Sequence, residues 1–206
     1  VGSEMCIRDS FTGDDNLYVG IETGNSSPIV DFNLDSSGDG ADKLSISSMY
    51  YQFPLENWDI AVGPKLDSDD LMPTTTSKYS DSFFFGSQYG LASNYFASQG
   101  TGAGLAVART FDNGWNASGS IIGTGAATSS GILTEEGIDV ITLSAGYDGD
   151  NFGGGIVYVD GDDYCGIVNS FISNGCSSIL GVSSLSINSV GIGGYWTPND
   201  CLLYTS

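Results

Sequence analysis

The sequence predicts an all-β fold, an antiparallel up-and-down transmembrane β-barrel, of which this chain would form a partial barrel of about 8–10 strands. Three observations support the prediction. Short turn signals alternate strictly with long polar segments, and the stretches between them have the length of strands that cross a bilayer. Aromatic residues also recur next to the short turns, as they do in outer-membrane barrels.

The connections are predicted from their composition. Clusters of Asp, Asn, Gly and Pro reverse antiparallel strands tightly, and they stand at 13–15, 54–57, 112–114, 148–151 and 198–200. Longer polar segments lie at about 24–43, 66–101, 124–137 and 160–183. Neighbouring strands are therefore expected to be joined by short turns at one end of the sheet and by long loops at the other.

Strands are predicted at 17–23, 44–53, 58–65, 103–111, 115–123, 138–147, 152–159 and 185–196. Several alternate between apolar and polar residues, as a two-faced strand must. Leu17 and Val19 share one face of the first strand, and Ile141 and Leu143 share one face of a later strand. The stretch 44–53 alternates poorly, and 185–196 changes phase, which indicates a β-bulge there.

Composition and charge exclude several functional classes. The chain has 206 residues with 25 Asp and Glu against 5 Lys and Arg, and a formal net charge of -20. Such a chain cannot neutralise a run of phosphates, so it is not expected to bind nucleic acid. It contains no histidine, which excludes Ser-His-Asp triads and histidine metal sites.

The two ends are expected to be non-native. VGSEMCIRDS at 1–10 and CLLYTS at 201–206 resemble translated sequencing-adapter read-through at the edges of assembled metagenomic fragments. Excluding them leaves one domain at 11–200, cut at both ends. The alternative is that both are genuine terminal segments.

Cysteine usage points to an oxidising compartment. Cys165 and Cys176 lie among small and polar residues of one loop, which predicts a loop disulfide, with two free thiols as the alternative. Cys6 and Cys201 belong to the terminal segments.

Aromatic residues at the strand ends next to short turns are typical of a girdle, a ring of aromatic side chains where hydrocarbon meets water. The predicted girdle residues are Phe53, Trp58, Phe111, Trp115, Tyr147, Phe152 and Trp196. The alternative is that these side chains pack inside a soluble β-sandwich.

Three phrases carry a resemblance to a known family: FTGDDNLYVGIETGN at 11–25, YYQFPLENWDIAVGPKLDSDD at 50–70 and SINSVGIGGYWTPND at 186–200. They resemble the outer-membrane porins of cyanobacteria, which are related to the carbohydrate-selective porin family. The resemblance implies a non-enzymatic, water-filled channel in the bacterial outer membrane, with lipid, small solutes and ions as its partners. It also implies a homotrimer of barrels with about 16 strands each, preceded by a surface-layer-homology region. Carbohydrates and inorganic ions, including iron, are both open as solutes.

In a channel, the functional side chains are the polar ones that face the lumen. Strand phasing predicts the pore-lining residues Glu22, Asp59, Lys65, Arg109, Asn116, Ser118, Ser120, Asp139, Thr142 and Ser144. Arg109 has the phase of Leu105 and Val107, so it either turns inward at a bulge or snorkels at the membrane boundary.

The segment 66–101 is too rich in aromatic residues for a simple solvated loop. One hypothesis is that it folds into the barrel and narrows the pore, with Lys78, Tyr79 and Asp81 near the constriction. The alternative is an external loop that packs on its own aromatic residues or on a neighbouring subunit.

Aspartate clusters stand at the bases of the long loops, at Asp35, Asp39 and Asp42, at Asp67, Asp69 and Asp70, and at Asp160, Asp162 and Asp163. None completes the EF-hand pattern, so no cofactor is expected beyond weak Ca²⁺ binding by these loops. As solvated charges they would make the channel mouth electronegative, which predicts a mild preference for cations.

The main alternative function is a secreted or surface β-sandwich, an adhesin or lectin with acidic calcium-binding loops. It predicts apolar faces buried between two sheets, and no common strand end for the aromatic residues. An enzyme would need a carboxylate pair such as Glu135 and Glu136 with a third acid, which adjacent loop positions do not establish.

Overall fold

The structure, a computed structural model, describes residues 3–24, 43–68, 70–72, 101–123, 132–133, 139–162, 186–199 and 202–205. These residues form a single sheet of ten strands, in which each strand pairs antiparallel with the next along the chain. The strands are β1 (Ser3–Asp9), β2 (Asn16–Gly24), β3 (Lys43–Leu55), β4 (Trp58–Asp67), β5 (Thr101–Thr110), β6 (Trp115–Gly123), β7 (Asp139–Asp148), β8 (Phe152–Gly161), β9 (Ile187–Asn199) and β10 (Leu202–Thr205). The predicted all-β, up-and-down antiparallel fold is confirmed, and in the described residues the sheet is open between β1 and β10.

The predicted strands correspond to β2–β9, with bounds that differ by a few residues. The two additional strands come from the terminal segments, because 3–9 pairs with β2 and 202–205 pairs with β9. Their register continues that of the sheet, since Ile7 lies opposite Val19 and Asp9 opposite Leu17. The non-native origin of these segments stays a prediction.

Short connections follow β1, β3, β5 and β7, at 10–15, 56–57, 111–114 and 149–151. They share one end of the sheet, here called the short-turn end; the opposite end is the long-loop end. Two turns begin later than predicted, because Pro54 still belongs to β3, and β9 continues through Asn199, which pairs with Leu202. Proline is compatible with a strand near its end, where ladder hydrogen bonds are not all required.

Neighbouring turns at the short-turn end are linked to each other. Gly114 has a φ of 86°, and a Cβ there would lie 2.6 Å from the carbonyl oxygen of Asp148. The backbone N–H of Asp148 donates to the carbonyl of Gly114 at 2.8 Å. Glycine at this position therefore allows the turn after β5 to pack against the end of β7.

Register assigns strand residues to two faces, because residues paired across strands point to the same side of a sheet. The first, here called the apolar face, carries Ile7, Leu17, Val19, Ile21, Ile46, Met49, Ile60, Val62, Leu105, Val107, Ile121, Ile141, Leu143, Ile156, Val190 and Ile192. The second, the covered face, carries Tyr18, Ser48, Tyr50, Ala61, Ala106, Ala108, Asn116, Ser118, Ser120, Ile122, Val140, Thr142, Ser144, Val157, Val159 and Tyr195.

The covered face takes its name from the segment that follows β4. Met72 packs against Val140, Val157 and Val159, which belong to β7 and β8. Leu71 packs against a second cluster that includes Ala106 and Ile122 of β5 and β6. The chain leaving β4 therefore lies over the covered face of the strands that come after it.

Bulges shift the phase of three strands, β3, β4 and, beyond Trp196 where it meets β10, β9. The register changes between Gly20 and Ile21 where β2 meets β3, and between Gly63 and Leu66 where β4 meets β5. The first explains why 44–53 alternates poorly, because one residue of β3 is extra there. The bulge predicted in 185–196 is wrong, since β8 and β9 pair without a shift from Ile187 to Trp196.

Candidate functional site: the two faces of the sheet

The exposure of large hydrophobic side chains distinguishes the two faces. Among the strand side chains whose exposure is described, every exposed large hydrophobic residue lies on the apolar face, including Leu143 at 52% and Ile192 at 77%. On the covered face, Ile122, Val140 and Val157 are fully buried. The arrangement is the reverse of that in a soluble β-sandwich, which buries its apolar faces between two sheets.

All seven predicted girdle residues lie on the apolar face at the short-turn end, in what we call the aromatic belt. The Tyr147 ring lies 5.5 Å from those of Trp115 and Phe152, measured between centroids. Phe152 is paired with Trp196 in register. The belt therefore continues from strand to strand, which the sandwich alternative does not predict.

On β7, β8 and β9 the same face becomes polar at the long-loop end. The apolar stretch of β7 lies between Tyr147 at the short-turn end and Asp139 at the long-loop end. The corresponding pairs are Phe152 and Asp160 on β8, and Trp196 and Asn188 on β9. The spacing is the same on all three strands, about eight residues or roughly 27 Å of extended chain. With a strand tilt of about 40°, this is an apolar band roughly 20 Å high.

Five predicted pore-lining residues come together on the covered face, in the central part of β6 and β7: Asn116, Ser118, Ser120, Thr142 and Ser144. The hydroxyls of Ser118 and Ser144 are 2.6 Å apart, and the Ser120 hydroxyl donates to the carbonyl of Ser68 at 2.7 Å. Asp59 also has the phase of this face and is exposed near the short-turn end. The backbone of Glu22 pairs with Glu4 and Ser45.

Three predicted pore-lining residues do not lie with the others. Arg109 is in phase with Leu105 and Val107, and no bulge interrupts the pairing of β5 with β6, so it lies on the apolar face. Its guanidinium carbon is 4.6 Å from the Phe111 ring centroid and 5.6 Å from that of Trp58. The inward orientation is therefore wrong, and Arg109 lies at the aromatic belt.

Lys65 and Asp139 are the other two corrections. The bulge in β4 turns Lys65 to the side of Met49, and its ammonium group donates to the carbonyl of Ile46. Asp139 is in phase with Ile141 and accepts a hydrogen bond from the backbone N–H of Leu133 at 2.7 Å. Both residues therefore lie on the side of the apolar face, at its long-loop end.

Several predicted features lie outside the described residues. They are the constriction residues Lys78, Tyr79 and Asp81 and the cysteines Cys165 and Cys176. Of the segment 66–101, the described part is 66–68, 70–72 and 101, and it contributes Leu66, Ser68, Leu71 and Met72 to the covered face.

A carboxylate site that the sequence did not reveal closes the turn between β1 and β2. Asp15 is buried and accepts hydrogen bonds from the backbone N–H of Thr12 at 2.7 Å and the hydroxyl of Ser10 at 2.8 Å. The hydroxyl of Tyr51 donates to its second oxygen. The hydrogen bond from Tyr51, assisted by those from Thr12 and Ser10, holds the pKa of Asp15 well below its usual range, although desolvation opposes the shift.

A second unforeseen contact also lies at the short-turn end, and it is on the covered face. Tyr195 is buried, and its hydroxyl donates to the carboxylate of Asp148 and to the carbonyl of Gly149 at 2.7 Å. A Cβ at Gly153 would lie 2.3 Å from the Tyr195 ring. Glycine there makes room for the ring, which connects β9 to the turn between β7 and β8.

Within the described parts of the chain, no group of three or more His, Cys, Asp or Glu side chains is placed to hold a metal ion. Weak Ca²⁺ binding by the acidic loops stays a prediction. None of the described segments forms a helix long and apolar enough to cross a membrane.

Comparison with known proteins adds no identification. No family model matches the sequence, and neither a curated protein nor a solved structure matches it.

Proposed function

We propose that this sequence forms part of the wall of an outer-membrane porin, a water-filled channel for passive diffusion of small solutes and ions. One observation carries the proposal: among the side chains that the structure describes, the exposed large hydrophobic strand residues all lie on one face of a single up-and-down sheet. In water such a face would be costly, at about 25 cal/mol for each Å² of apolar surface. In a bilayer it is the face that meets lipid.

The aromatic belt supports the same proposal. Its rings lie at one boundary of the apolar band, and Asp139, Asp160 and Asn188 lie at the other. Amphipathic rings favour the depth at which hydrocarbon meets headgroups, and polar side chains favour the water beyond it. The band therefore has two chemically distinct edges, as a membrane-spanning wall requires.

The covered face would be the lumen side of this wall. Its central hydroxyls, Ser118, Ser120 and Ser144, are polar groups of the kind that line a channel, and they bond to each other and to the chain leaving β4. The segment containing Leu71 and Met72 already crosses this face. We therefore propose that its continuation narrows the channel, with Lys78, Tyr79 and Asp81 as candidate constriction residues.

The proposed location is the outer membrane of a bacterium, and the resemblance to cyanobacterial porins is the reason for naming that group. The open sheet would be completed by further strands of the full-length protein, because an unpaired edge in hydrocarbon costs several kcal/mol per backbone group. The homotrimer stays a prediction from the resemblance.

Planar bilayer recording tests the proposal. We expect the full-length protein that contains this sequence to produce stable stepwise conductance, and the 206-residue chain alone to produce no stable steps because its edge strands are unpaired. Stable full-size steps from the chain alone would contradict the proposed completion of the barrel. Absence of steps from the full-length protein would contradict the channel itself.

Charge selectivity is a separate prediction. With a net charge of -20, the channel mouth should enrich cations and repel anions. In a KCl gradient, the reversal potential should have the sign of K⁺ selectivity, and the selectivity should weaken as salt is raised. A reversal potential of the opposite sign would refute the predicted selectivity and leave the channel proposal standing.

A further inference from the structure

Arg109 is the one cation that the described residues place in the aromatic belt. Lys65, the other described cation on the apolar face, lies at the long-loop end. The Arg109 guanidinium carbon is 4.6 Å from the Phe111 ring centroid and 5.6 Å from that of Trp58. Both rings are partly exposed, at 38% and 39% respectively, so the site is open on the apolar face.

The contacts of the Arg109 side chain with the described residues are contacts with aromatic rings. Across the ladder it pairs with Ala117, which has no polar side chain. No described carboxylate forms an ion pair with it, although acidic residues outnumber basic ones fivefold in the chain. Contact with the rings uses the flat face of a guanidinium and leaves the N–H donors at its edge for an acceptor.

We propose that Arg109, Trp58 and Phe111 form a binding site for the headgroup of an anionic phospholipid in the leaflet next to the short turns. The inference rests on the proposed function, because the belt must lie at headgroup depth. At that depth a guanidinium meets phosphate oxygens, which match its paired N–H donors. The acyl chains of the same lipid would lie along the apolar face beside Val107 and Ile60, which are paired to each other.

We expect the preference for an anionic headgroup to be confined to the Arg109 site. Elsewhere the described charged residues of the short-turn end are acidic, apart from Arg8, which lies over the Tyr18 ring on the covered face: Asp9, Asp14, Asp15, Glu56, Asp59, Asp112, Asp148 and Asp150. These carboxylates disfavour a net negative headgroup, but water and salt screen them over about 10 Å. A phosphate in contact with Arg109 is screened much less. Trp196, on the same belt but five strands away from Trp58, is therefore a control within the protein.

Quenching of tryptophan fluorescence by brominated lipids can measure this preference. The full-length protein would be prepared with Trp58 as the one tryptophan of this region, by W115F and W196F, and in a matched form with only Trp196, by W58F and W115F. Each form is inserted into vesicles of phosphatidylcholine with an equal mole fraction of brominated phosphatidylglycerol or brominated phosphatidylcholine. Any tryptophan elsewhere in the full-length protein is replaced by phenylalanine in both forms.

We expect brominated phosphatidylglycerol to occupy the Trp58 site with roughly fivefold higher relative affinity than brominated phosphatidylcholine, and to show no such advantage at Trp196. R109Q should reduce the ratio at Trp58 to that at Trp196, while R109K, which keeps the charge, should retain part of it.

Three outcomes would overturn the inference, and they differ from failure of the proposed function. Equal quenching of Trp58 by both lipids would exclude headgroup selection. Quenching at Trp196 but not at Trp58 would show that the site is covered by another subunit instead of lipid. A ratio at Trp58 that survives R109Q would exclude the guanidinium as its cause. If neither tryptophan is quenched by either lipid, the membrane location itself is wrong.

Discussion

The two faces of this sheet follow different rules of construction. The apolar face is uniform along the strands, with Leu, Ile and Val between an aromatic edge and a polar edge, and it contacts little else in the described structure. The covered face is mixed, with hydroxyls on β6 and β7 beside buried valines on β7 and β8, and the segment after β4 packs on it. A uniform surface suits a uniform surrounding medium, whereas a mixed surface must be matched residue by residue.

The largest expected effect comes from placing a charge in the middle of the apolar face. Leu143 is 52% exposed there, and L143R should destabilise the full-length protein in phospholipid vesicles by about 2–4 kcal/mol, because arginine near the bilayer midplane is costly. L44R is the matched control. Leu44 is also exposed but lies at the long-loop end, so its replacement should cost about 1 kcal/mol or less.

Urea titration of the free energy of unfolding in vesicles measures both variants. In a water-soluble protein, two exposed leucines would tolerate arginine equally well. Equal costs for L143R and L44R would therefore show no dependence on depth along the apolar face, and they would contradict its contact with lipid.

The next effect concerns the covered face. Met72 is buried against Val140, Val157 and Val159, and M72A should cost about 2 kcal/mol through lost apolar contact and a residual cavity. If the segment narrows the channel, loosening this anchor should also raise the single-channel conductance. L133A, at a position 65% exposed, should change neither quantity. A lower stability with unchanged conductance would mean that the segment covers the face without constricting the pore.

The smallest effect on stability is expected at Asp15, in the turn between β1 and β2. D15N should lower the Tm at pH 7, since it replaces the charged acceptor of the Tyr51 and Thr12 hydrogen bonds. Because the folded-state pKa of Asp15 is depressed, its stabilisation is complete above the unfolded pKa of about 4 and is lost as the pH falls towards the folded value.

The difference in Tm between wild type and D15N should therefore shrink as the pH is lowered below about 4. D14N, at the exposed neighbouring position, is the control and should leave the Tm almost unchanged at every pH. A wild-type advantage that persists undiminished at pH 2 would show that the Asp15 carboxylate is not the source of the stabilisation.

Local signals were sufficient to predict most of the fold. Turn residues and the period of two identify a strand without any knowledge of its partners, so β2–β9 were predicted within a few residues. The shared face and end of Trp115, Tyr147 and Phe152 were predictable for the same reason. Each aromatic residue stands at a fixed distance from its own turn.

The errors arise where one strand adjusts to another. Lys65 lies on the opposite face from the predicted one because β4 has an extra residue after Val62, which appears in its pairing with both β3 and β5 and which the sequence alone does not indicate. Asp139 has the charge typical of a lumen position but the phase of Ile141, and the phase determines its face. The contacts of Asp15 with Tyr51 and of Tyr195 with Asp148 join residues far apart in sequence, so no local sequence pattern predicts them.

The equal spacing from Tyr147 to Asp139, Phe152 to Asp160 and Trp196 to Asn188 has a consequence for where the protein can reside. Under the proposed function, the apolar band, which is roughly 20 Å high, is shorter than the hydrocarbon core of a typical bilayer, which is about 30 Å thick. A thick membrane would have to compress around the protein, and each ångström of mismatch carries a cost. The length of three strand segments would thus sort the protein towards thin membranes, a class that includes the bacterial outer membrane.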